Sequence, residues 1–193
     1  MNSNRLLLLI SIGILTFSTC IVSAQDNKGD LIKLDLGIFN KIRVGYEHPI
    51  TNAFSAGANV DFYYGSFPGF KLEPFGRFYP GGQSPSGLYG QIRFLYGSFN
   101  KNFIYYDNSD NMNILIQKSS ISSLGGGLDL GYQWLSGRNE NIVIDLSIGV
   151  QIMNDVNNSI TENNIKYSTA NVGFLTTGPG GIFNPHLMIG YKF

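Results

Sequence analysis

Apolar and polar residues alternate with a period of two through eight stretches of this chain. The stretches are 32–38, 42–47, 54–64, 71–79, 88–97, 124–134, 142–152 and 187–193. In the seventh, Ile142, Ile144, Leu146, Ile148, Val150 and Ile152 interleave with Val143, Asp145, Ser147, Gly149 and Gln151. Period two places successive side chains on opposite faces of an extended strand, so the pattern predicts strands and not helices. Several stretches approach the roughly 9–11 residues that a tilted strand needs to cross a bilayer. Pro74 interrupts the fourth stretch and predicts a bulge there, because proline removes a ladder donor. The first two stretches read as a hairpin with a tight turn at Phe39-Asn40.

The spacing between stretches is uneven. Links at 48–51, 80–86 and 136–140 are short, and 65–69 is also short. The links at 100–122 and 154–184 are long and polar, and both read as loops. Short turns at one end and long loops at the other are the asymmetry of an outer-membrane barrel. The expected fold is therefore all-β, an eight-stranded antiparallel up-and-down transmembrane β-barrel. An even strand number places both termini on the periplasmic side.

The two faces differ in chemistry. The outward set carries no charge. The inward set carries Lys33, Asp35, Arg43, Glu47, Asp61, Glu73, Arg77, Arg93, Asp129, Asp145 and Lys192. An eight-stranded cylinder is just wide enough for side chains to fill. Opposite charges confined there are expected to pair into a lumen network that plugs the bore, because an unpaired charge in a narrow interior is costly. Glycines on the inward face make room for the long side chains. Tyr46, Phe62, Tyr64, Phe78, Tyr96, Tyr132, Trp134, Tyr191 and Phe193 cluster near the ends of the stretches, as interfacial aromatic belts do.

The first 24 residues stand apart. Arg5, the apolar run 6–15 and Val22-Ser23-Ala24 read as a signal peptide. The run is too short to span a bilayer as a helix. Cleavage after Ala24 leaves 169 of the 193 residues as an outer-membrane β-barrel domain, 25–193, without the single cysteine, Cys20. Phe17-Ser18-Thr19 is a poor lipobox for that cysteine. The remaining 12 basic and 13 acidic residues give a net charge near −1, and no basic field for nucleic acid.

Candidate chemistry is sparse. Of two histidines, His48 falls in a predicted turn and His186 opens the last strand at the outer end, facing inward. Acyl-ester chemistry would need a serine nucleophile beside His186 and a carboxylate orienting it. Pro185-His186-Leu187-Met188 lacks the His-x-Ser spacing of deacylase barrels, and Ser147 lies nearer mid-membrane. His186 is read as a hydrogen-bonded side chain. Thr177-Gly178-Pro179-Gly180-Gly181 has no phosphate-loop lysine and reads as a turn cluster. Asp107 and Asp110 do not match a calcium-loop spacing, and Asn157-Asn158-Ser159 is a glycosylation sequon that matters only where that pathway exists. No catalytic residue, metal site or cofactor is expected.

The segments 71–80 and 87–90, Lys-Leu-Glu-Pro-Phe-Gly-Arg-Phe-Tyr-Pro and Gly-Leu-Tyr-Gly, resemble the fourth and fifth strands of small Bacteroides-type outer-membrane barrels in the OmpA/OmpX-like superfamily. The terminal Ile189-Gly190-Tyr191-Lys192-Phe193 resembles the signal read by the barrel-assembly machinery, carried by Ile189, Tyr191 and Phe193. The resemblance implies the outer membrane of a Gram-negative bacterium, with outer-membrane lipid, lipopolysaccharide and the assembly machinery as partners. The polar, aromatic-bearing length concentrated in the loops 100–122 and 154–184 points to a structural or surface-interaction role through them. The alternatives are a lipid A-modifying enzyme and a narrow pore.

Overall fold

The computed structural model describes residues 29–35, 41–65, 67–106, 114–155 and 178–193. The signal-peptide reading, the turn at Phe39-Asn40, Asp107, Asp110 and the sequon at 157–159 fall outside them. The strands are β1 (Leu31–Asp35), β2 (Lys41–Pro49), β3 (Phe54–Tyr63), β4 (Gly69–Phe78), β5 (Gly87–Tyr106), β6 (Ile114–Ser136), β7 (Ile142–Asp155) and β8 (His186–Lys192). Every neighbour is antiparallel and β8 pairs with β1, so the sheet closes in chain order as the alternation predicts. Closure removes the two edges that a flat sheet would expose.

The pairing fixes the geometry of the cylinder. From Lys192 it runs through Leu31, Glu47, Gly57, Phe75, Arg93, Gly127 and Gln151. The Gln151 amide then donates to the Ile182 carbonyl, so one circuit returns ten residues lower on the chain, at 182 instead of 192. Eight strands with that stagger, a rise of ~3.3 Å and a spacing of ~4.8 Å tilt by about 41°. The outward residues Ile142 to Ile152 then cover about 25 Å along the axis, the height of a membrane-barrel apolar band.

Inside and outside are inverted relative to a water-soluble barrel. Leu128, Leu130, Ile148 and Ile152 are each at least 60 % exposed, whereas Lys33, Glu47, Asp61, Lys71 and Glu73 have no exposure at all. No Asp, Glu, Lys or Arg among the described side chains holds an outward strand position. Tyr46, Phe54, Phe78, Tyr132, Trp134, Tyr191 and Phe193 ring the end that carries the termini. Phe62, Tyr64, Phe70 and Tyr96 mark the other, open end, and aliphatic side chains lie between.

Local chemistry shapes the short turns. Thr51 Oγ1 accepts from the Ala53 and Phe54 amides at 3.2 and 3.0 Å, which tightens the β2–β3 link. The β6–β7 link turns on Gly137 at a φ of 88°, a conformation that favours glycine.

Two expectations need correction. Pro74 makes no bulge. Leu72 pairs with Tyr96 and Phe75 with Arg93, so the register is unchanged across the proline. The β4–β5 ladder skips Glu73 and Pro74, while Pro74 stays opposite Ala58 on β3. The missing N–H interrupts pairing on one side without inserting a residue. Nor are the described parts of 100–122 loop, and 107–113 lie outside the described residues. β5 and β6 continue through the described parts as paired strands from Asn100↔Ser120 to Tyr106↔Ile114. Within 154–184, β7 runs to Asp155 and 156–177 lie outside the described residues. Residues 182–184 lie along β7, where Val150 pairs with Phe183 and the Asn184 amide donates to the Gly149 carbonyl.

Candidate functional site: the charged lumen

Alternation sends one side chain in two into the bore, and each strand except β8 delivers at least one charge there. Six bases and six acids are buried: Lys33, Lys41, Arg43, Lys71, Arg77 and Arg93 against Asp35, Glu47, Asp61, Glu73, Asp129 and Asp145. The formal charge of this set is zero. Ten of the eleven residues expected in the lumen network are therefore buried.

Toward the terminal end, Lys33 Nζ donates to Glu47 Oε2 at 2.6 Å, Asp145 Oδ2 at 2.7 Å and Gln133 Oε1 at 2.9 Å. An ammonium has three donors, and all three are used. Arg77 Nη1 lies 2.9 Å from Glu47 Oε2 and 2.8 Å from Asp145 Oδ2, and its guanidinium stacks 4.0 Å above the Tyr89 ring. Tyr79 donates to Glu47 Oε1 at 2.7 Å, Tyr89 to Asp145 Oδ1 and Ser55 to Glu47 Oε1. Tyr79 lies just beyond β4, where burial and the Glu47 carboxylate push its phenol up.

Toward the open end, Arg43 Nη2 donates to Asp61 Oδ2 and Glu73 Oε2, both at 2.8 Å. Arg93 Nη1 reaches the same Glu73 oxygen at 3.0 Å, and Arg93 Nη2 reaches Asp129 Oδ1 at 2.8 Å. Lys71 Nζ sits 2.7 Å from Glu73 Oε1. Lys41 Nζ has a longer contact, 3.5 Å, to Asp61. Gln91 joins the halves, accepting from Arg77 Nε and donating to Asp129 Oδ2 at 2.8 Å. The network is thus continuous from Lys33 to Asp61. Glu47, Asp61, Glu73 and Asp145 are each shared between two or more cations, which offsets the desolvation that would make an isolated buried charge untenable.

Glycines make this density possible, as their inward parity suggests. A Cβ at Gly131 would overlap the Tyr89 ring, and one at Gly149 would overlap the Asp129 carboxylate. One at Gly127 would meet Arg93 Nη2 at 3.0 Å.

Lys192 departs from the expected network. Its parity is inward, but it stands at the rim, half-exposed, and its ammonium makes no ion pair among the described residues. Depth along the axis overrides parity there. Asp35 is buried at the opposite end, where His186 Nδ1 lies 3.4 Å from its carboxylate. Lys41 and Lys71 were absent from the expected set. Lys71 shares the parity of Glu73 and Arg77, which is the signal that identifies it. Lys41 precedes the second alternating stretch, and only the register Lys41↔Tyr63 brings it inside.

His186 is 5 % exposed. With the Asn184 amide turned to suit its neighbours, Asn184 donates to His186 Nε2 at 3.0 Å and accepts from Arg93 Nη1 at 2.8 Å. Ser147 lies opposite His186 in the ladder. Both imidazole nitrogens thus face groups other than a serine hydroxyl. Gly178–Gly181 are half-buried or buried, and Gln151 Nε2 donates to the Pro179 carbonyl at 3.0 Å, which ties this glycine-rich turn to the lumen wall. No group of three or more His, Cys, Asp or Glu suited to a metal occurs among the described residues.

No family model matches the chain, and no curated protein matches it. Among solved structures it is similar to the crystal structure of the N-terminal β-barrel domain of Pseudomonas aeruginosa OprF. The identity is 14 %, the match covers 87 % of this chain and 98 % of that one, and the TM-score is 0.44. The architecture rests on the pairing of the chain's own strands: this protein is a closed, eight-stranded, antiparallel β-barrel with an apolar exterior and a charge-balanced, ion-paired bore.

Proposed function

We propose that this chain is a small integral outer-membrane barrel protein of a Gram-negative bacterium, and that the barrel is a rigid mount for a surface contact made by its open end. An apolar band of membrane height, flanked by aromatic side chains, supports the membrane reading. Both described chain ends lie with the short turns, which suits periplasmic termini. Lipopolysaccharide and outer-membrane lipid are then its immediate neighbours, and the terminal strand is what the assembly machinery would meet.

The observation that carries the surface role is the length of β5 and β6. Seven paired rungs, from Asn100↔Ser120 to Tyr106↔Ile114, stand beyond the last rungs with β4 at Gly69↔Phe99 and with β7 at Ser123↔Asp155. An isolated two-stranded ribbon is marginally stable in water. A rigid barrel beneath it anchors both arms and holds the ribbon out for an extracellular partner.

Replacing 100–122 by a short turn tests both halves. The expected protein remains in the outer membrane, still migrates differently on gels before and after boiling, and loses its cell-surface phenotype. Unchanged adhesion, phage sensitivity and envelope behaviour would sink the surface role. Recovery of the wild-type chain from the soluble periplasm would sink the membrane reading.

A further inference from the structure

Among the described residues, the seam where the barrel closes has the fewest backbone pairs. β1 and β8 share four described pairs, Leu31↔Lys192 to Leu34↔Ile189, whereas β5 and β6 share twenty. Extra hold comes from the lumen. Lys33 stands on β1, and two of its three acceptors lie beyond β8: Asp145 on β7 at 2.7 Å and Gln133 on β6 at 2.9 Å. Its side chain therefore passes over the inner surface of β8. The β8 residue at that level is Gly190, paired with Lys33 on one side and Val143 on the other. A Cβ on Gly190 would collide first with the Ile32 carbonyl oxygen and also with Lys33 Cγ and Cα. The glycine is the gap through which the lysine crosses.

We propose that Lys33, crossing the terminal strand at Gly190 to reach Asp145, is the latch that locks the β1–β8 seam once the barrel has closed. The geometry sets an order. The Lys33–Asp145 contact exists only when β8 lies between β1 and β7, because only then are the two carrier strands held one strand apart. Glu47 on the adjacent β2 holds the ammonium at 2.6 Å, and the β1–β2 hairpin that carries this contact does not itself require β8, so Lys33 is positioned independently of the seam. Gly190, inside the terminal motif, thereby acquires a lumen-side role distinct from the outward Ile189, Tyr191 and Phe193. The groups that face the latch are Arg77 from β4, Tyr89 from β5 and Gln133 from β6, with Ser55 and Tyr79 bonded to Glu47.

The test is amide hydrogen exchange, read by mass spectrometry, on the full mature chain folded in detergent micelles. Three variants are compared with wild type: Lys33→Met, Asp145→Asn and, as a control, Lys71→Met, which removes an equally buried lysine away from the seam. A local opening raises exchange only in the strands it frees, so Lys33→Met and Asp145→Asn are each expected to accelerate β1 and β8 amides about tenfold while β3 and β4 change little. Lys71→Met is expected to leave the seam as in wild type. If Lys33→Met does not fold, Asp145→Asn decides alone, since it leaves Lys33 its Glu47 partner. Unchanged seam exchange, acceleration spread evenly around the barrel, or acceleration at β6–β7 in place of β1–β8 overturns the latch.

Discussion

Arg77 on β4 and Asp145 on β7 stand three strands apart, yet Arg77 Nη1 and Asp145 Oδ2 meet at 2.8 Å across the bore. Glu47 from β2 lies against the same nitrogen at 2.9 Å. Side chains from opposite walls thus touch in the middle of the cylinder. Replacing Arg77 by Met would leave Glu47 and Asp145 sharing Lys33 alone. Breaking such a buried pair by removing one partner costs about 3–5 kcal/mol, so urea unfolding in micelles should shift by that much. A loss near zero would show that water, not Arg77, compensates these carboxylates.

The filled bore predicts an electrically silent protein. Purified chain in a planar bilayer should give no steady conductance steps, because ions would have to displace buried, paired charges. Reproducible steps would revive the narrow-pore reading.

The exterior is tested by adding charge. Ile148 is outward at mid-band and 63 % exposed. Ile148→Lys should cost roughly 2–4 kcal/mol of stability in a lipid bilayer, the depth-dependent penalty for a lysine on the lipid face. Asn100→Lys, above the band, should be close to neutral. Equal, small effects at both sites would argue that water bathes this surface.

Glycines separate by what fills their missing side chain. Gly149 lies against the Asp129 carboxylate, whereas Gly90 faces outward with nothing within 4 Å. Gly149→Ala overpacks a dense interior and should destabilise by about 1–3 kcal/mol. Gly90→Ala should be neutral or slightly stabilising, since it only restricts the unfolded chain. Thermal unfolding of the two variants side by side decides; equal losses would contradict the packing described here.

A lipid A-modifying role predicts a changed acyl profile. Buried His186, held between Asp35 and Asn184, predicts none: mass spectra of lipid A from cells with and without the protein should coincide. A shifted acyl pattern would reopen the enzymatic reading.

The alternation of residues such as Ile142 to Ile152 was enough to identify the strands, their faces and their number, because a period of two is a local property of extended backbone. It was enough to place Arg43, Asp61, Glu73 and Arg93 indoors. Depth was not legible: Lys192 has the right parity but stands at the rim, where water competes for its ammonium. Strand length failed at 100–122 for a related reason. Polar residues in that stretch read as loop, whereas β5 and β6 keep pairing wherever two arms of a hairpin stay in register. Pro74 lost one side of its ladder without shifting the register, because the neighbouring rungs on β3 held it in place.

By itself the sequence determined a barrel with an apolar exterior and a charged interior, since both follow from side-chain alternation and the rule that lipid accepts no free backbone polar groups. Only the tertiary structure decided which charges meet. Partners such as Arg77 and Asp145, or Lys33 and Asp145 across Gly190, are far apart in the chain, and they face one another only once the stagger of ten residues around the cylinder is fixed. That stagger is a sum over all eight strand registers, and no single segment of the sequence contains it.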